Sequence, residues 1–279
     1  MYLASCRALM APERRPIRVL LVWEISMSSP IFAAAQCAVQ AGDLNGNLAM
    51  HMAFMRQAHE HGVRFLLFPE LSLTGYEPPL ADGLAQNIDT PLISPLRNVA
   101  RETCMTTVVG LPLRLAGHEK PLIASFVLHR DGSVTAYTKQ HLHVGEEQYF
   151  SAGNGGELLS IADVSIALSV CADFSRAEHP SHAAKQGAHL YATSVLIGEA
   201  GYPHDSSLLQ AYAEEHGMAV LMANHGGPTG GWAAAGLSAF WDEQGHCVAS
   251  TGGTGNRLLV VSKCLDRWQG FETQVSFTR

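Results

Sequence analysis

Glu70, Lys139 and Cys171 are the residues whose types and placement could do covalent chemistry together. Each follows a run that reads as a β-strand: Val63 to Phe68, Val134 to Thr138, and Val164 to Val170. Strand ends facing loops are where sites are commonly built. A thiol is a strong nucleophile once ionised. A carboxylate in a partly desolvated site can take its proton and later return it to a leaving amine. A fixed cation can stabilise the oxyanion of a tetrahedral intermediate, a role worth roughly 10²–10³ in rate per lost donor. Together the three meet the needs of acyl transfer from an amide. Singly, each has a plainer explanation: a cysteine in the core, a glutamate capping a helix, a solvated lysine.

The elements around them must do the positioning. Val164 to Val170 alternates large apolar with small residues, so Val164, Ile166, Leu168 and Val170 share one face of a strand. Cys171 then falls on the small-residue side. Val63 to Phe68, apolar but for Arg64, reads as a strand buried on both faces, and Pro69 ends its ladder because it lacks an N–H. Ile123 to Leu128 and Val134 to Thr138 form a hairpin across Arg130-Asp131-Gly132-Ser133, leaving Lys139 at the end of the returning strand. The first strand is expected over Ile31 to Val39, followed by a capped helix carrying Leu48, Met52, Met55 and Ala58 and closed by Gly62. A helix from about Pro91 to Glu102 leads to a strand at Thr106 to Leu113. After Cys171 the pattern predicts helices at Pro180 to Gln186 and, capped by Asp205, at Ser206 to His216. Strands are expected at His189 to Ser194, Met218 to Ala223 and Leu258 to Val261, with a hairpin of Ser238 to Trp241 and His246 to Ala249. Strand–helix units and hairpins thus fall in two similar halves around Lys139. The fold expected is α/β, a four-layer α-β-β-α sandwich; a doubly wound sheet is the alternative.

Three blocks in this order resemble the carbon–nitrogen hydrolase family, or nitrilase superfamily. Phe68-Pro69-Glu70-Leu71 with Thr74-Gly75-Tyr76 is similar to its glutamate motif. Tyr137-Thr138-Lys139-Gln140-His141-Leu142, continuing through Gly145 to Gly153, is similar to its lysine motif, and Val170-Cys171-Ala172-Asp173 to its nucleophile motif. The resemblance spans about residues 31 to 262. It implies Glu70 as general base, Lys139 as oxyanion stabiliser and Cys171 as the nucleophile that carries a thioester. By its spacing to Phe150, Glu146 matches the family's second glutamate better than Glu147 does. The resemblance also implies the sandwich and homodimers that extend it. Ala172 stands where many relatives carry an aromatic residue, and the segment after Asp173 departs from the family's order, which leaves the chemistry but changes the substrate pocket. The expected activity is hydrolysis of a small amide or carbamoyl compound with water. Nitrile hydrolysis, or a silent relative acting as a scaffold, are the alternatives.

Asn224, His225 and Trp232, flanking a glycine-rich run, are further pocket residues, with Tyr76 and Ala172. That run lacks the Lys-Ser/Thr of a phosphate loop. None of the close histidine pairs has metal-ligand spacing, so neither a metal nor another cofactor is expected. The chain has 279 residues, 47% of them hydrophobic, and a net charge of −7, enough for a full core and without a basic stripe for nucleic acid. No apolar run approaches the ~18 residues of a membrane span. Six scattered cysteines point to a reducing, cytoplasmic setting. Residues 1–29 read as an extension, 30–263 as the hydrolase domain and 264–279 as a tail.

Overall fold

The computed structural model describes residues 29–277, so the expected extension lies, but for Ser29, outside the described residues. The first half runs through β1 (Ile31–Gln36), α1 (Leu44–Glu60), β2 (Val63–Leu67), the short α2 (Ala81–Leu84), α3 (Ser94–Thr103), β3 (Thr106–Leu113), β4 (Leu122–Leu128) and β5 (Val134–Thr138). The second half holds β6 (Leu159–Ile161), β7 (Val164–Val170), α4 (Glu178–Lys185), β8 (Leu190–Val195), α5 (Tyr202–His216), β9 (Ala219–Asn224), β10 (Ala239–Trp241) and β11 (Cys247–Ser250). The chain then returns to the first sheet through β12 (Arg257–Cys264) and β13 (Arg267–Gln274).

Two sheets result, ordered β13-β12-β1-β2-β3-β4-β5 and β11-β10-β9-β8-β7-β6. Each has a parallel centre, β1-β2-β3 and β7-β8-β9, flanked by antiparallel strands. Three apolar layers follow from the strand period of two. Phe32, Phe65 and Leu67 of the first sheet meet Ile166, Leu168, Val170 and Leu221 of the second. The opposite faces pack against helices: Ala33, Leu66 and Val109 against Phe54 and Met55 of α1, and Tyr191, Val220 and Met222 against Leu209 and Ala213 of α5. This is the α-β-β-α sandwich, and it excludes a single doubly wound sheet.

Several local expectations shift. Asp43 caps α1, its carboxylate accepting from Gly46 N at 3.0 Å. However, α5 begins at Tyr202, so Asp205 lies in its first turn and makes no cap hydrogen bond. Pro203, with its fixed φ, lets the helix start earlier. The expected tail instead holds β13, paired along its full length with β12. The turn between them, Leu265-Asp266, has positive φ at both residues, the geometry of a tight hairpin without the usual Asn or Gly. No helix among the described residues is long and apolar enough to cross a membrane.

Candidate active site

Glu70 leaves β2 two residues after Phe68 and is fully buried. The chain turns sharply there: Leu71 has φ 49°, and Gly110 of β3 lies so close that a Cβ on it would overlap the Leu71 backbone nitrogen. Ser72 Oγ accepts from Gly110 N at 3.2 Å and lies 2.9 Å from His51 Nε2. His51 is fully buried, and its pKa is lowered to about 3 by that burial, so it is neutral. The second sheet also reaches this segment. Ser194 Oγ donates to Phe68 O at 2.7 Å, and His225 Nε2 donates to Glu70 O at 2.7 Å. Burial lowers the His225 pKa to about 4, so it too is a neutral donor.

Lys139 follows β5 and is entirely buried. Its Nζ donates to Glu70 Oε1 at 2.7 Å and to Glu146 Oε1 at 2.8 Å. Glu146 sits in a 3-10 turn entered through Gly145 at φ 96°. Its other oxygen accepts from His143 N at 2.8 Å, and Tyr76 OH donates to Oε1 at 2.7 Å. Glu147 turns away, its carboxylate accepting from Gly145 N. Burial alone would lower the Lys139 pKa; the charges of Glu70 and Glu146 outweigh it and hold the ammonium charged. Glu70 shows the converse. Burial raises its pKa to about 7, with Lys139 opposing and Glu146 adding to the rise. Glu70 Oε2 is buried without a hydrogen-bond partner.

Cys171 begins a 3-10 turn at the end of β7 with φ 44°, a conformation that L-residues rarely adopt. Its thiol lies 3.9 Å from Leu196 O. Burial, then the Glu70 charge, pushes the thiol up, while Lys139 pulls it down. The turn is latched by Asp173, which is fully buried. Asp173 Oδ2 accepts from Val170 N at 3.0 Å and Tyr137 OH at 2.7 Å. Its Oδ1 accepts from Gln140 N at 3.0 Å and His141 N at 2.8 Å. One carboxylate therefore fixes both the turn bearing Cys171 and the backbone just after Lys139. Charge-assisted bonds of this kind are the strong ones.

Glu70, Glu146, Cys171 and Tyr76 line one cavity of about 550 Å³, with Trp232 and the stretch from Leu196 to Gly201. Lys139 lies behind the two glutamates. The structure thus brings together four of the residues singled out for chemistry and two of those singled out for the pocket. Asn224, His225 and Ala172 differ from expectation, for none of the three lines the cavity. Asn224 is fully buried behind it, where its Oδ1 accepts from Ile197 N at 2.9 Å and its Nδ2 donates to Ile197 O at 3.0 Å and Gly236 O at 2.8 Å. Asn224 and His225 are therefore supports, of the Leu196–Ile197 wall and of Glu70. The wall residues Leu196 to Gly201, with His143 and Asp205, were missed. Their signal was present: they follow a strand in the same way as Glu70 and Cys171 do. The glycine-rich run packs on the segment after Glu70, where Tyr76 N donates to Thr229 Oγ1 at 2.9 Å.

A buried Glu-Lys-Glu cluster thus faces a strained cysteine at the strand ends of a four-layer sandwich, the arrangement that the resemblance to the carbon–nitrogen hydrolases implies. Comparison with known proteins agrees. The model of the family described as carbon-nitrogen hydrolase matches residues 32–271. Among solved structures, the amidase from Nesterenkonia sp. AN1 is similar over most of the chain. Its cysteine-to-alanine mutant in complex with butyramide is 29% identical, with TM-score 0.78, covering 86% of this chain and 92% of that one. A cysteine-to-serine mutant, described as an amidase from the nitrilase superfamily, is 30% identical with TM-score 0.78, covering 86% and 93%. A third form, a glutamate-to-leucine mutant, carries the acetamide moiety of fluoroacetamide covalently at its active-site cysteine; it is 30% identical with TM-score 0.77, covering 84% and 90%. This chain belongs to the carbon-nitrogen hydrolase family. It is an amidohydrolase of the nitrilase superfamily, acting on carbon–nitrogen bonds other than peptide bonds.

Proposed function

We propose that this protein hydrolyses a small amide through a thioester on Cys171, with Glu70 as base and acid and Lys139 as oxyanion partner. The observation that carries the reading is the unpartnered, buried Glu70 Oε2 in the cavity that Cys171 also lines. Glu70 takes the thiol proton as Sγ attacks the carbonyl carbon, and the π electrons move to oxygen. Lys139 Nζ and a backbone N–H near Ala172 meet that oxyanion. The carbon–nitrogen bond breaks, and Glu70 passes its proton to the leaving ammonia or amine. Water then gives a proton to Glu70 and its oxygen attacks the thioester. The carbon–sulfur bond breaks, the acid leaves, and the thiolate recovers the proton. Glu146 fixes Lys139, and Tyr76 fixes Glu146.

A Glu70 pKa near 7 suits this alternation, because efficient acid–base groups titrate close to the working pH. The thiol is not ionised at rest, so attack and proton removal are coupled. The butyramide and the fluoroacetamide-derived acetamide bound by the Nesterenkonia amidase support the substrate class. The same residues would serve a nitrile. The resemblance to the family supports homodimers, and the six scattered cysteines a cytoplasmic setting; light scattering and fractionation test those two.

The test is intact mass spectrometry after incubation with a panel of small amides, carbamoyl compounds and nitriles, quenched in acid, alongside ammonia release. An acyl adduct that is absent from Cys171→Ala, with the variant folded and inactive, is the expected result. Full turnover by Cys171→Ala would overturn the assignment, as would ammonia release with an adduct on another cysteine.

A further inference from the structure

The outer wall of the cavity is charged with one sign. The loop and helix start after β8 contribute Glu199 and Asp205 to the lining. No lysine or arginine lines the cavity, and Lys139 behind it is committed to Glu70 and Glu146. None of the ion pairs among the described residues uses Glu199 or Asp205. Asp205 is half-buried; burial pushes its carboxyl up, opposed by the charge of His204. A partly desolvated carboxylate without a partner is stabilised when a cation arrives. Complementing the dipole of α5 would explain an acid in its first turn. It does not explain Glu199, which precedes the helix, or why both face the cavity.

Two further observations mark the cavity as built for a ligand with two polar ends. Glu70 Oε2, fully buried and unpartnered, lies in its lining beside Cys171 and marks where the reacting group sits. Trp232 is 51% exposed in the same lining, and an exposed indole face attracts a cation. A volume of about 550 Å³ leaves room for a chain of several carbons.

We infer that the substrate is an amide whose far end carries a compact cation, such as an alkylammonium group, held by Asp205 and Glu199 beside the indole of Trp232. This inference rests on the reaction proposed at Cys171. The acid wall repels amides that end in a carboxylate, and neutral amides gain nothing from it. Asp205 and Glu199 are specificity residues, since they meet the part of the substrate that does not react.

The test compares three amides of matched length on the full chain: 5-aminopentanamide, hexanamide and the monoamide of adipic acid. Ammonia release gives kcat/KM for each. The expected order is ammonium, neutral, carboxylate, with the ammonium amide about tenfold or more above hexanamide, the worth of a hydrogen bond to a charged group. Asp205→Asn and Glu199→Gln should each lower the ammonium-to-neutral ratio by about fivefold, mostly through KM. Added salt should narrow the ratio in the parent. Equal or better turnover of hexanamide, or a ratio unchanged in both variants, would overturn the inference while leaving the thioester chemistry standing. No ammonia from any of the three, with no acyl adduct on Cys171, would remove the underlying reading as well.

Discussion

Replacing Glu70 by glutamine should make the protein more stable and less active, and the gain in stability should depend on pH. Glutamine has the shape of the protonated acid and keeps a carbonyl oxygen for the 2.7 Å bond from Lys139 Nζ. The folded protein holds the Glu70 carboxyl up at about 7, from an ordinary value of 4.5, chiefly by burial. The folded state therefore binds this proton more tightly than the unfolded chain does. Stability is fully present below pH 4.5 and is lost as pH rises through 7. At about 1.4 kcal/mol for each factor of ten, ionising Glu70 costs about 3 kcal/mol by pH 8. Glutamine never ionises, so Glu70→Gln should match the parent at pH 4.5 and exceed it by up to about 3 kcal/mol at pH 8. Lys139 remains paired with Glu146, which keeps its charge compensated. Activity should move the other way. The Cys171 thiol is pushed up by burial, so without a base few molecules present a thiolate. The rate should fall by at least about 10², within the range for lost general-base catalysis. Urea denaturation at the two pH values and ammonia release at pH 7 measure both sides. A gain that is the same at both pH values would refute the linkage, and turnover within tenfold of the parent would refute the role of Glu70.

Three other perturbations have expected outcomes. Asp173→Asn replaces one acceptor oxygen by a donor, leaving at least two buried donors facing it; the cost should be about 2–5 kcal/mol in urea denaturation, with a loss of kcat from the loosened Cys171 turn. Gly110→Ala drives a methyl into the Leu71 backbone and should yield little folded protein, whereas Gly83→Ala, with open space around it, should fold normally in the same circular-dichroism assay. His225 is neutral in the fold because burial lowers its pKa to about 4, so the stability it contributes is present above pH 6.5 and is lost as pH falls through 4, amounting to about 3 kcal/mol. His225→Gln, which can still donate to Glu70 O, should flatten that part of the pH–stability curve; an unchanged curve would show that His225 does not titrate there.

The amino-acid sequence determined the strands and most of the helices, because their signals are local. Val164 to Val170 alternates and Val63 to Leu67 is apolar but for the exposed Arg64, and both sit where those patterns require. Pro69 after β2, and the polar turn after β7, placed Glu70 and Cys171 at strand ends before any contact was known. What lacked a local signal was missed. Arg267–Gln274 is a polar edge strand, five of whose eight residues face solvent, and its turn carries neither Asn nor Gly, so its pairing with β12 is visible only from the partner. Tertiary structure alone decided which side chains converge. Glu70 and Cys171 come from different sheets, joined near the site by Ser194 on Phe68 O and His225 on Glu70 O. Sequence placed Asn224 and His225 at the same strand end as the pocket. Only the packed sheets show that their hydrogen-bonding capacity is spent on the Ile197 backbone and on Glu70 O. The raised pKa of Glu70 has the same origin. A carboxylate becomes a usable base near neutral pH when burial, one ammonium and a second carboxylate act on it together, and those groups lie 69 and 76 positions away in the chain, at Lys139 and Glu146. The strand period fixes a side chain's face, but the charge it meets across that face is set by the fold.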